Sequence, residues 1–296
     1  MIFPMEKLTV VIPVYKGGEY FRECLESFLP HLECFDTIAA SINKSPLQET
    51  DIATFKEFQK KLPKHITSFY LKQKFSLGAR GHAAFIRWQL RKKSLQGFQM
   101  IMAHDDVLLE NFSAVYRSFQ DKLHDNSVIN PARSFFDKSF SPEKKIYDYY
   151  GARNFPEGLP VDEFVSQDFD RHYITNMSGI ICTKQALDRA DSITKYLIFG
   201  YRGEYIVLTA PNIITIYSTP EPVIGIRVHP GQQGSVQKNF ARKWDEFVYL
   251  VHLYHRTTDP VLRQKIRTRS RLFRIWFEPH KCALLLLKKI YRKLVK

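Results

Sequence analysis

Leu8 to Val14 reads LTVVIPV, a continuous apolar and mostly β-branched run, and it is followed closely by Gly17 and Gly18. A run with no polar alternation predicts a strand buried on both faces, as in a parallel sheet. The two glycines make a turn, and Glu19 opens a helix in which Phe21, Leu25, Phe28, Leu29 and Leu32 recur at helical spacing. Outward from this unit the same alternation repeats. TIAASIN, ending at Asn43, reads as a second strand, a short helix runs around Phe55 and Phe58, and SFYLKQ reads as a third strand. A loop with Gly78, the helix AAFIRWQLRKK and the strand FQMIMAHDD follow, then the helix LENFSAVYRSFQDKL and the strand VINPAR. Trp88 shares an apolar face with Ile86 and Leu90 and reads as core. Strand and helix take turns through the first 133 residues, which predicts an open, mostly parallel α/β sheet with helices on both faces.

The chain has 296 residues, 44% of them hydrophobic and 14% aromatic, enough for a full core and too apolar for a disordered polypeptide. Its 4 cysteines are scattered without a CxxC pair, so no zinc site or disulfide framework is expected, in keeping with a reducing compartment. The apolar run near the amino terminus breaks at Pro13, and CALLLLKKIY is shorter still, so no membrane span is expected. The charge is unevenly placed. Of the formal +14, a net of 12 comes from Lys238 to Lys296, where 16 Lys and Arg face 4 Asp and Glu. This tail has helical spacing too: Trp244, Phe247, Val248, Val251 and Tyr254 fall on one face, and later apolar residues alternate with Arg and Lys. Such a segment suits an anionic membrane surface, where cations meet head groups and the apolar face enters the acyl boundary. A helical subdomain packed on the body with a solvated basic face is the other reading. Nucleic acid ranks last, because no recognition motif accompanies the charge.

Open α/β sheets bind ligands beyond the carboxyl ends of their strands. That rule selects Tyr15 and Lys16 after the first strand, Asn43 to Ser45 after the second, and His104, Asp105 and Asp106 after the fourth. There is no GxGxxG after the first strand and no GxxxxGK[ST] anywhere, which disfavours a dinucleotide site and a P-loop. Two adjacent acids at a strand end repel each other unless a cation compensates, and their hard oxygens suit Mg²⁺ or Mn²⁺. Asp106 also stands where it would cap the following helix.

VIPVYKGGEYFRECLESFL, FSLGARGHAAF and MIMAHDDVLL, in that order, resemble the signature of the inverting nucleotide-sugar glycosyltransferases of family 2, which have the GT-A fold. NMSGIICTKQAL is similar to the family's acceptor-side wall, with Gly179 where a sugar approaches the backbone. FGYRGEYIVL resembles the place of the family's acidic general base, here Glu204, and RVHPGQQGSVQK its late loop over the diphosphate. The likeness spans most of the chain ahead of the tail. It implies a GT-A-like domain over 1–237, with 1–133 as its nucleotide-binding half and 134–237 as its acceptor half, and a basic helical region over 238–296. It also implies a donor site drawn from Pro13, Tyr15, Asn43, Arg80, Asp105, Asp106 and His229, and a metal, Mn²⁺ or Mg²⁺, on Asp105, Asp106 and His229. In two places the sequence departs from the pattern: Ala103 stands at the first acid of the family's DxD motif, and Asn43 replaces an acid after the second strand.

The implied reaction moves a sugar from a nucleoside diphosphate, UDP-linked in the family, to a glycan or polyprenyl-linked acceptor of the cell surface. The expected setting is the cytoplasm, peripheral on the inner face of the membrane. Glu204 would take the acceptor's proton, and Arg227 or Lys238 would help the metal with the departing diphosphate. His82 is a further phosphate candidate; Asp168 and Asp170 read as loop acids within reach of an acceptor. Two rivals remain: a nucleotidyltransferase acting on sugar phosphates, for which VYKGGEY supplies only Lys16, and a non-catalytic scaffold, suggested by Ala103 and Asn43.

Overall fold

The computed structural model describes residues 6–78, 82, 86, 97–150, 155–171, 177–197, 203–229 and 239–269. The strands are β1 (Leu8–Val14), β2 (Phe35–Ile42), β3 (Thr67–Lys72), β4 (Phe98–Ile101), β5 (Val107–Leu108), β6 (Ser127–Phe136), β7 (Lys145–Tyr149), β8 (Leu159–Pro160), β9 (Ile181–Thr183) and β10 (Thr215–Arg227). They form a 10-stranded sheet in the order β3-β2-β1-β4-β9-β6-β10-β5, with β7 on β6 and β8 on β10. The described helices are α1 (Gly18–Ser27), α2 (Gln48–Lys60), α3 (Phe112–Ser118), α4 (Val161–Arg171), α5 (Lys184–Thr194), α6 (Gly203–Leu208), α7 (Asn239–Arg256) and α8 (Pro260–Arg269).

The apolar run Leu8 to Val14 lies between β2 and β4, parallel to both. Its residues alternate between two faces. Val10, Ile12 and Val14 join Phe21, Leu25 and Phe55 of α1 and α2 in one core, while Val11 packs with Ala39 and Ile86 on the other side. That two-sided burial explains the unbroken hydrophobicity. The long ladders are parallel, as expected, and the short strands β5, β7, β8 and β9 are inserted antiparallel. Two-residue strands such as β5 and β8 carry too few alternations to be read in a sequence.

The second half of the sheet positions the cleft. β6 runs parallel to β10 along its length, but its other edge changes partner: Ile129 pairs with Ile181 of β9, and Arg133 with Tyr149 of β7. The sheet therefore forks beyond Asn130. Gly179, just before β9, has φ +82°, and a Cβ there would meet Ile224 Cγ1 at 2.6 Å and Pro131 Cγ at 3.2 Å. Its smallness is a packing requirement of the fork.

The tail's first part is not separate from the body. Val248, Tyr249, Leu250 and Leu253 of α7 and Leu262 and Ile266 of α8 share one core with Val128, Ile180, Ile206 and Ile216. Across 239–269 the region after residue 238 thus packs on the body. Two α7 side chains also finish α6. His252 Nε2 lies 2.9 Å from the Thr209 carbonyl, and Arg256 Nε donates to the same oxygen at 3.0 Å. Arg256 reaches the Ile213 carbonyl and the Asp162 carboxylate as well. Among the described residues no helix is long and apolar enough to cross a membrane.

Burial lowers the His252 pKa from 6.5 to about 4, against the hydrogen bond at Thr209, which favours the charged ring. The unfolded chain therefore binds this proton below pH 6.5 and the folded chain does not until about 4. Stability from this residue falls as pH drops through that window, by up to roughly 3 kcal/mol. Urea titrations from pH 7 to pH 4 should show a steep decline in the wild type and a shallower one in His252→Gln; equal slopes would exclude His252 as a source.

Candidate active site

α1 begins immediately after β1, and its first turn is held from a distance. Asp51, fully buried on α2, accepts the Gly18 N–H at 2.8 Å and the Gly17 N–H at 3.2 Å. A Cβ on Gly17 would meet Phe21 Cβ at 2.6 Å, so the chain can enter the helix here only with glycine. Asp51 was not among the residues expected to matter. It stands in the first turn of α2, where an acid reads as helix-dipole complement.

After β4 the chain turns sharply, the Asp106 N–H bonding back to the Ala103 carbonyl at 3.2 Å. The two acids of this turn have different surroundings. Asp105 is 15% exposed, and its Oδ2 lies 2.9 Å from Nε2 of His229, itself 20% exposed and just beyond β10. Asp106 is buried; its Oδ1 accepts the Arg227 N–H at 3.1 Å, and its carboxyl is hydrogen-bonded to the Ser178 side chain. Burial first, and the Asp105 charge second, push the Asp106 carboxyl up to about 8, opposed by Ser178, the Arg227 N–H and the Arg133 guanidinium. The sequence suggested that both acids support one ion. In this structure Asp105 meets His229, while Asp106 is committed to the main chain of β10 and to Ser178.

Arg227 ends β10, is 1% exposed, and joins several segments. Its Nε donates to the Asp105 carbonyl at 3.1 Å, its other nitrogens to the Lys138 carbonyl and the Glu23 carboxylate. The guanidinium carbon lies 4.0 Å from the Tyr20 ring centre and 4.4 Å from that of Phe140. Tyr20 also sits 5.6 Å from the His229 ring. Arg227 was considered for direct contact with a diphosphate; the structure encloses it and uses it to fix the Asp105 turn. Tyr20 and Glu23 were overlooked. Their spacing of three puts them on one polar face of α1, the only signal available. Gly225 permits the arrangement, since a Cβ there would meet the Phe140 ring and Val107 at 2.9 Å.

The other expected residues divide. His104 bonds to the Pro13 main chain; burial lowers its pKa, with Asp105 and Asp51 acting oppositely and His229 lowering it further. Tyr15 is 45% exposed at the end of β1. Asn43 is buried, and its side chain donates to the Leu77 carbonyl at 2.6 Å and accepts the Leu77 N–H at 3.0 Å. It thus fastens the segment after β3, taking the part of a backbone pair. His82 bonds Ser41 Oγ at 2.8 Å, and burial lowers its pKa to about 4. Gly179 serves the fork described above. Glu204 is half-buried in the first turn of α6, and its charge acts on the wholly buried Arg133, as does that of Asp106. Arg133 donates to the carbonyls of Ser178 and Pro131 and to Asn130. Arg80, Trp88 and Lys238, and the side chains of Asp168 and Asp170, lie outside the described residues.

A carboxylate oxygen beside an imidazole nitrogen, both partly open to solvent, is a donor pair of the kind divalent cations use. Among the described residues no group of three or more His, Cys, Asp and Glu side chains is arranged for a metal. The remaining positions of such an ion would fall to water and a ligand's oxygens.

In overall shape the chain is similar to crystal structures of S. aureus TarS. Against TarS 1–349 in complex with UDP-GlcNAc the TM-score is 0.65 at 13% identity, over 92% of this chain and 76% of that one. With the UDP complex it is 0.60 at 12% identity, over 88% and 69%. Against a longer TarS structure it is 0.57 at 13% identity, over 90% of this chain and 44% of that one. No family model matches the chain, and no curated protein matches it in sequence. At such identities the likeness shows the fold: the mostly parallel α/β architecture expected from the order of strands and helices, in the GT-A-like form that the motif resemblance implied.

Removing Asp51 should loosen the start of α1. Asp51→Ala leaves one buried and one part-buried N–H group without their acceptor, at a cost of about 1–3 kcal/mol in urea unfolding. A loss below about 0.5 kcal/mol would show that the cap is dispensable.

Proposed function

We propose that the chain is a nucleotide-sugar glycosyltransferase that works with inversion, its donor diphosphate bound at Asp105 and His229. The observation that carries this reading is the 2.9 Å contact between these two side chains at the carboxyl ends of β4 and β10, on a fold shared with TarS, which has been solved with UDP-GlcNAc. Asp105 and His229 would hold Mn²⁺ or Mg²⁺; when bound, the ion supplies positive charge to the diphosphate as it leaves. Arg227, locked by Tyr20, Phe140 and Glu23, keeps the Asp105 turn rigid, so little reorganisation is needed as charge develops. Tyr15 is exposed beside the same cleft and is available to the donor's base.

Glu204 is assigned as the base. Its carboxylate takes the acceptor hydroxyl proton while that oxygen forms a bond to the anomeric carbon, and the bond from that carbon to the diphosphate oxygen breaks on the opposite face. The electron pair of the broken bond stays with the diphosphate. Arg133 places a buried positive charge that interacts with both Glu204 and Asp106. The acceptor is read as a glycan or polyprenyl-linked chain at the inner face of a membrane, with the basic region after residue 238 attracted to anionic head groups.

Asp105→Ala should lower donor turnover by roughly 10²-fold or more while the melting temperature stays close to wild type. Glu204→Gln should retain donor binding in calorimetry and lose transfer by roughly 10²–10⁴-fold. Transfer near the wild-type rate in either variant would reject that residue's role.

A further inference from the structure

Away from the cleft, α5 and α7 border a groove of about 780 Å³, lined by Ile193, Tyr196, Pro211, Trp244, Phe247 and Val251. Its walls are mostly apolar, completed by His252, His255 and Arg256, and its rim faces water with two large rings, Tyr196 at 58% exposure and Trp244 at 37%. The rings are fixed together, because the Trp244 indole N–H donates to the Tyr196 carbonyl at 2.9 Å. The Lys195 ammonium lies 4.9 Å from the centre of the Tyr196 ring. Tryptophan and tyrosine with their rings outward and a lysine beside them form a surface suited to the boundary between hydrocarbon and water.

The surrounding charge indicates which boundary. The groove lies on α7, at the start of the region where 16 basic residues meet 4 acidic ones. Two of those four acids are taken inward: Asp245 is fully buried, and Glu246 pairs with Arg269 at 3.3 Å. Lys243, His255 and Arg267 are exposed on the same two helices. An apolar slot within a cationic field complements a lipid with an acyl chain and a negative head group.

We propose that this groove docks the protein on an anionic bilayer, seating acyl chain between Tyr196, Trp244 and Phe247 while the cations of α7 and α8 meet the head groups. The contact is independent of the transfer chemistry. It also differs from an anchor in the last residues of the tail, because it is built from packed helices.

The test is co-sedimentation of the full chain with phosphatidylcholine vesicles, with and without phosphatidylglycerol, at low and high salt. The wild type should bind the phosphatidylglycerol vesicles, and less so at high salt. Tyr196→Ser and Trp244→Ser, checked for an unchanged melting temperature, should each weaken that binding on the order of ten-fold. Asp105→Ala should bind like the wild type, so the functional reading and this one fail separately. Three results would overturn the proposal: no vesicle binding, vesicle binding unchanged in both groove variants, or a dimer in sedimentation velocity that the variants dissociate while vesicle binding persists.

Discussion

A guanidinium sealed inside the protein governs the geometry of the cleft. Arg227 cannot leave its place between Tyr20 and Phe140 without abandoning the Glu23 carboxylate and the carbonyls of Asp105 and Lys138. A buried cation is tolerated only when its donors are matched, so the three segments that match them are forced into one arrangement with the strand end that carries it. The Asp105 turn, the first helix, the loop after β6 and the end of β10 are thereby registered against one another. His229 reaches Asp105 because β10 ends two residues before it at this fixed point.

The same logic separates the two neighbouring acids. In sequence Asp105 and Asp106 are equivalent, and a single role for both is the natural reading. The fold gives one a partly open surface beside an imidazole and gives the other a main-chain donor, a hydroxyl and burial. Like charges so close are held more easily when only one needs to remain ionised.

Much of the fold was legible because its signals are local. Continuous apolar strands, glycine turns and 3.6-residue periodicity name β1, α1, β2, α2 and β4 with little help from tertiary context. The insertions were not legible, since β5 and β8 are two residues long and are strands only by virtue of β10. In the site, Asp105 and Asp106 could be picked out because polar residues at strand ends stand apart from the apolar runs before them, whereas His229 was reached only through the resemblance of RVHPGQQGSVQK. Asp51, Tyr20 and Glu23 could not. Their significance comes from partners 33, 207 and 204 positions away, and nothing in their own neighbourhoods announces it. Asn43 misled for a related reason: an amide at a strand end looks like a ligand group until Leu77 is seen lying against it. The tail's charge left two readings open, because charge says how a surface meets solvent and nothing about what the opposite face packs on.

His252 and Arg256 have a consequence for how this chain could be divided. Both reach the carbonyl of Thr209, at the far end of the short helix whose first turn carries Glu204. A helix of 6 residues has little stability of its own and owes its position to whatever finishes its ends. The region that composition marks as an appendage is therefore a buttress of the short helix that carries Glu204, and a truncation drawn where the basic stretch begins would remove that support.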